Sequence, residues 1–195
     1  MDDRLGLVNT WSKIIETKEK IIKHNDVSKS IKISSKKDSL SQIGEFEWIL
    51  HNFSANKRMA ERKLLTSIDS DPFYTHENGY KLSLTVFPNG ATTVSGHFLS
   101  VGFSIMRGPF DHLLTWPMKH RVILELINQQ TDLVHLTYTA QYDLNTNDTH
   151  FQRPTSDIND PYGFPEFISL EELLHNEELI KNDQLIIRSR IILIN

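Results

Sequence analysis

From Gly44 onward the apolar residues fall two apart, and that period constrains the fold more than any other feature of the chain. Phe46, Trp48 and Leu50 alternate with Glu47 and Ile49, which predicts a strand with one buried face. Strand-like runs follow at 80–87, 98–106, 121–127, 133–142 and 184–194, with a weaker one at 64–68. Turn residues separate them: Asn78-Gly79, Pro88-Asn89-Gly90, Arg107-Gly108-Pro109 and Asn182-Asp183. Gly79 and Gly108 are expected to supply turn geometry. Many short strands punctuated in this way predict an antiparallel sandwich over residues 43–195. One short helix is expected at 169–174, with Ser169 as its cap and Glu172 three residues on.

The first 42 residues follow a different rule. Over 5–24 apolar pairs recur every seven residues, Leu7/Val8, Ile14/Ile15 and Ile21/Ile22, with Trp11 on the same face. This is the sequence form of a coiled-coil seam. Lys18 at the position equivalent to Trp11 and the shortness of the repeat leave a second reading open, an amphipathic helix packed on its own domain. Residues 1–27 are therefore expected to hold a helix or coiled-coil stub, and the Ser- and Lys-rich residues 28–42 a solvated linker.

Charge divides at the same place. Residues 1–40 carry nine Lys/Arg against six Asp/Glu, while the remaining 155 carry twelve against nineteen. An acidic globular part repels phosphate backbones, so no nucleic-acid partner is expected. The chain has no cysteine, which excludes disulfides, thiolate catalysis and Cys-based zinc sites within it. No apolar run reaches the ~20 residues of a membrane span, and Met1-Asp2-Asp3-Arg4 does not open a signal peptide, so no direct membrane insertion and a cytoplasmic location are expected.

Several blocks are more specific than any of this. Asp71-Pro72-Phe73-Tyr74-Thr75 precedes Gly79-Tyr80-Lys81-Leu82; then come Leu99-Ser100, Met106-Arg107-Gly108, Asp111, Leu113-Leu114 and Trp116-Pro117. Phe151-Gln152-Arg153-Pro154, Asn159, Phe167 and Ile180-Lys181-Asn182-Asp183 complete the series. In this order the chain resembles the C-terminal, meprin-and-TRAF-homology (MATH) domain of the tumour necrosis factor receptor-associated factors (TRAFs). The resemblance implies an eight-stranded antiparallel β-sandwich preceded by a helix that assembles homotrimers. It implies an intracellular signalling adaptor that binds short extended peptides along the sandwich edge. The partners would be the tails of TNF-receptor-like or Toll/interleukin-1-receptor-like receptors and their adaptors. It implies no cofactor and no catalysis; a ubiquitin-ligase RING would lie outside this chain. The alternative is a scaffold or oligomerisation module with a degenerate groove, acting through other surfaces.

The resemblance also indicates where a peptide would lie. The strand after Gly79-Tyr80-Lys81 usually presents an arginine, an aromatic and then an acid; this chain has Thr85, Phe87 and Ala91. Serines often precede the Phe-Gln-Arg-Pro block; here Asp148, Thr149 and His150 stand there. Tyr162-Gly163-Phe164 is similar to the aromatic-Gly-aromatic pocket of one branch, whose rings contact a peptide proline and a terminal aromatic. The missing guanidinium and the added Asp148 carboxylate predict a weaker dependence on peptide acids. Trimerisation would fall to Leu7, Val8, Trp11, Ile14, Ile15, Ile21 and Ile22. The nine histidines are scattered, with no His-Glu-x-x-His spacing, so neither a metal site nor catalytic residues are expected.

Overall fold

The computed structural model describes residues 43–131, 133–141 and 148–193, which fall in one compact unit, Ser41–Asn195. The helix expected over 5–24, with its seven seam residues, and the linker lie outside the described residues. So do Tyr142 and Ile194, at the ends of two expected strands.

Two antiparallel sheets face each other. One has the order β1-β9-β6-β7, formed by Ile43–Leu50, Leu185–Ile192, Arg121–Asn128 and Leu133–Ala140. The other has the order β2-β4-β5-β8, formed by Ile68–Asp69, Lys81–Phe87, Phe98–Met106 and Tyr162–Ser169, with a two-residue β3, Phe73–Tyr74, beside β4. The eight strands along the two paths form the expected antiparallel sandwich; β3 is a short ninth.

The core follows from the period of two. In β4, Leu82, Leu84 and Val86 are completely buried, and in β5 Leu99, Val101, Phe103 and Ile105 are nearly so. From the opposite sheet Val122, Leu124 and Leu126 of β6 meet Leu185, Ile187 and Ile191 of β9. Each such side chain contributes about 1.5–3 kcal/mol through removal from water. At one edge Phe46 of β1 stacks on Phe73 of β3 at 4.2 Å and 5°, joining the sheets. The Met106–Pro117 block builds a loop: the buried Asp111 carboxylate accepts from the Gly108 N–H at 3.1 Å, and its carbonyl accepts from the Trp116 indole at 2.9 Å.

Three expectations change. Residues 64–68 form no strand until Ile68; an α-helix, α1 (Phe53–Glu61), precedes them instead. Within α1 only Phe53 is buried, so the segment lacks an apolar stripe by which periodicity would reveal it. Its N-terminus is held from far along the chain. Phe53 N–H donates to the Asp183 carbonyl at 3.0 Å and Ser54 N–H to the Asp183 carboxylate at 2.8 Å. Strand β8 was also unexpected, because Pro165 lies inside it; as an edge strand it tolerates the missing donor. In the turn before β4 the left-handed residue is Asn78 at φ 66°, not Gly79. The short helix expected at 169–174 is α2 (Leu170–His175), and Ser169 caps it by accepting from Glu172 N–H at 3.1 Å.

Candidate functional site

The outer face of β4, β5 and β8 carries unusually small side chains. Strand alternation turns Ser83, Thr85 and Phe87 outward from β4 and Ser100, Gly102 and Ser104 outward from β5. In the sheet register Thr85 lies opposite Gly102, and Gly102 opposite Gly163 of β8. Two facing glycines let β5 and β8 approach closely: a Cβ on Gly163 would stand 2.3 Å from the Val101 carbonyl oxygen. The result is a shallow depression of about 160 Å³ lined by Phe87, Ala91, Ser100, Gly102, Gly163, Phe164 and Pro165, among others.

Hydrogen bonds fix its rim. The Ser100 hydroxyl accepts from Ala91 N–H at 2.9 Å and donates to the Pro165 carbonyl at 2.5 Å. It thus ties the turn after β4 to β8, at the place where the β5–β8 register shifts between Leu99 and Val101. Such an irregularity re-aims an edge strand and leaves it unpaired locally. The Thr85 hydroxyl donates to Asp69 Oδ1 at 2.7 Å and is almost wholly buried. It spends its donor on the fold.

Four of the nine sequence-predicted groove residues, Phe87, Ala91, Gly163 and Phe164, therefore line one depression, with Thr85 in the adjoining row. The others gather elsewhere. Asp148 caps a 3-10 turn at Thr149–Phe151, accepting from His150 N–H at 3.0 Å and contacting His150 Nδ1 at 2.5 Å. The His150 ring meets Tyr162 edge-on at 5.6 Å. Alternation along β8 turns Tyr162 and Phe164 away from the outward Gly163. Tyr162 packs on Phe151 at 5.0 Å and near Phe103 at 6.1 Å, while Phe164 packs on Tyr138 of the opposite sheet at 4.7 Å. The two rings flank β8 rather than pairing over the depression, and only Phe164 reaches its rim.

Ser100, Gly102 and Pro165 are site residues that sequence reasoning missed. A glycine inside the apolar run Leu99–Ile105 was the available signal, since it marks a close backbone approach. No lining residue of the depression carries a charge. Elsewhere, burial followed by the nearby His76 lowers the pKa of His120. Among the described residues no three acidic or histidine side chains group to hold a metal ion, and no helix is long and apolar enough to cross a membrane.

Known proteins place this architecture. The family model for the TRAF/meprin MATH domain matches residues 65–188. TNF receptor-associated factor 5 of Mus musculus is 36% identical over 126 residues, covering 65% of this chain and 22% of that protein. TNF receptor-associated factor 2 of Homo sapiens is 34% identical over 130 residues, covering 67% of this chain and 25% of that protein. The chain thus spans about a quarter of these relatives' length. A solved TRAF5 structure from Notothenia coriiceps superposes with a TM-score of 0.72 at 25% identity, covering 99% of this chain and 94% of that one. A family match over more than half the chain, carried by the two-sheet sandwich described above, makes this chain a member of the TRAF/meprin MATH-domain family.

Proposed function

We propose that this domain binds short extended peptides along β8 and seats one apolar peptide side chain, such as proline, in the depression over Gly102 and Gly163. The observation that carries this reading is the combination of an edge strand with an uncharged, small-floored depression beside it. Among the described residues β8 pairs with β5 only, so its outer side is open to main-chain hydrogen bonds from an added strand. TRAF/MATH domains are interaction domains, and nothing in this reading needs catalysis. The peptides would come from receptor tails or adaptors, and residues 5–24 would trimerise the chain, so that three weak grooves gain avidity of roughly 10²–10⁴ on clustered targets.

Acidic peptide residues contribute little in this reading. Thr85 has no charge to offer and its hydroxyl is held by Asp69; the Asp148 carboxylate near Tyr162 repels acids. Titration with a Pro-x-Glu-x-x-aromatic peptide library, against the wild type and Ala91→Arg, tests the site. Ala91 lines the depression outside the core, so the substitution fills it and leaves the melting curve unchanged. Loss of binding in that variant is the expected result. Equal binding by both proteins refutes the location, and no binding by any peptide favours a scaffold acting through another surface. Light scattering on residues 1–195 against residues 40–195 tests trimerisation; equal masses per chain would refute it.

A further inference from the structure

Large apolar side chains are left in water around α2 and the start of β7. Leu133 is 66% exposed, Leu174 52% and Val134 40%. Between these elements lies a depression of about 1050 Å³, lined by Gln130 of the β6–β7 turn and by Glu172, His175, Glu177 and Glu178, among others. Four of the nineteen Asp/Glu of residues 41–195 fall within these eight positions, 171–178, and all four are exposed. Hydrogen bonds fix the two sides to each other. Gln129 N–H donates to the Glu178 carbonyl at 2.7 Å and the Gln129 side-chain amide to the Leu179 carbonyl at 2.7 Å. The Asn128 amide donates to the Glu178 carboxylate, and His135 Nε2 lies 3.1 Å from Glu172 Oε1. Asn128 is opposite Leu133 in the register of β6 and β7, so Leu133 borders the wall that Asn128 and Glu178 form. Leu174 borders the other wall, next to His175 in α2.

We propose that this surface docks a basic segment of another protein, with an arginine in the depression and an apolar residue on each side of it covering Leu133 and Leu174. Apolar groups in water on both flanks call for an apolar partner, and the acids between them call for a cation. A guanidinium presents five donors in a fixed fork that pairs carboxylates bidentately. The lining offers it the carboxylates of Glu172, Glu177 and Glu178 and the side-chain carbonyls of Gln130 and Asn176, with Lys181 the one lysine or arginine among them. Glu172 and Glu178 are already held in place, so little remains to be ordered on binding. Phosphate-rich partners, nucleic acid or lipid, are repelled by these acids. Among the described residues no three acidic or histidine side chains group to hold a metal ion; the carboxylates are spaced for a larger cation. The surface shares no residue with the depression beside β8, so it acts independently of peptide binding there.

Fluorescence anisotropy of a labelled peptide containing Leu-Ser-Arg-Ser-Leu, titrated with residues 1–195, tests this. Two further peptides replace the arginine by glutamate or both leucines by serine. Glu177→Gln with Glu178→Gln removes two charges and keeps an oxygen for the Asn128 amide. Leu133→Ser with Leu174→Ser removes the apolar flanks. All four positions are exposed, so the melting curves stay at that of the wild type. The wild type is expected to bind the arginine peptide, and each altered peptide and each double variant to weaken that binding roughly tenfold or more. Ala91→Arg, which fills the depression beside β8, is expected to bind it as the wild type does. No binding up to about 1 mM, equal binding of either altered peptide, or unchanged binding by either double variant overturns the proposal. Loss of binding in Ala91→Arg moves the peptide to β8 and also overturns it. Light scattering is the last arm: if the serine pair lowers the mass of the protein alone, the surface joins copies of this chain and the assignment to a basic partner falls.

Discussion

Replacing Gly163 by alanine tests whether the floor of the depression is structural. A methyl group there stands 2.3 Å from the Val101 carbonyl oxygen and 2.4 Å from Gly102 Cα. A carbon–oxygen contact between strands is ordinarily about 3.3–3.6 Å, so β5 and β8 must part by roughly 1 Å. The obstacles are backbone atoms of a central strand, and no side-chain rotation relieves them. Parting the strands weakens the ladder between the Val101–Phe164 and Phe103–Tyr162 register positions. Two weakened hydrogen bonds cost about 1 kcal/mol each, and overpacking adds about 1 kcal/mol or more. Loss of unfolded-chain entropy on replacing glycine returns about 0.4–1 kcal/mol. The net destabilisation is about 2–3 kcal/mol, or roughly 5–10 °C in melting temperature for a domain of this size. Gly96→Ala is the control. Its methyl meets nothing within 4 Å, but its φ is +87°, so it should cost only about 1 kcal/mol. A thermal melt by circular dichroism reads both. If Gly163→Ala melts within ~2 °C of the wild type, or no lower than Gly96→Ala, the close approach of the two strands does not bear on stability and the reasoning fails.

Arg190→Met should destabilise the domain by about 3 kcal/mol, because Glu125 is buried, its Oε2 has no hydrogen-bond partner among the described residues, and Arg190 is the cation that bonds its other oxygen, while Arg188 faces it across the sheet without a hydrogen bond to it. Adding Glu125→Leu should restore most of that loss in urea titrations, and no recovery would show that the pair is not the cause. Asp183→Ala should cost about 1 kcal/mol by uncapping α1 and Asp183→Asn much less, as judged by melting temperature. The Ser54 N–H bond, chiefly, holds the Asp183 pKa below the usual carboxylate range, so this stability is present above that range and lost as pH falls through the lower folded value. His120 behaves similarly for another reason. Burial, then His76, lowers its pKa, so the unfolded chain binds the proton first as pH falls below about 6.5. Stability should decline from there until the folded value is passed, and His120→Gln should flatten that limb in urea midpoints measured across the range.

Apolar residues alternate with small or polar ones along β4 and β5, and an apolar run marks β6, so these strands were legible to within a residue or two, although the fold buries both faces of all three. β8 was not legible as a strand, because a proline and a glycine interrupt it; its place at the sheet edge makes the proline acceptable, and the close approach of β5 requires the glycine. Nor was α1, whose single buried residue gives no period and whose capping acid lies 129 residues away. The candidate site divides in the same manner. Residue type and resemblance pointed to Phe87, Ala91, Gly163 and Phe164, and the glycine inside β5 hinted at Gly102, but Ser100 and Pro165 became visible only once three strands stood side by side.

The sequence by itself determined the family, the sandwich and the acidic character of the globular part, because these rest on residue order, a period of two and a count of charges. Tertiary structure decided which of those residues face outward together. Register across β4, β5 and β8 set Thr85, Gly102 and Gly163 in one row, and alternation turned the flanking Tyr162 and Phe164 to the other side of β8. A contact between residues far apart in the chain depends on pairing, and pairing is a property of the folded sheet, not of any local run of residues.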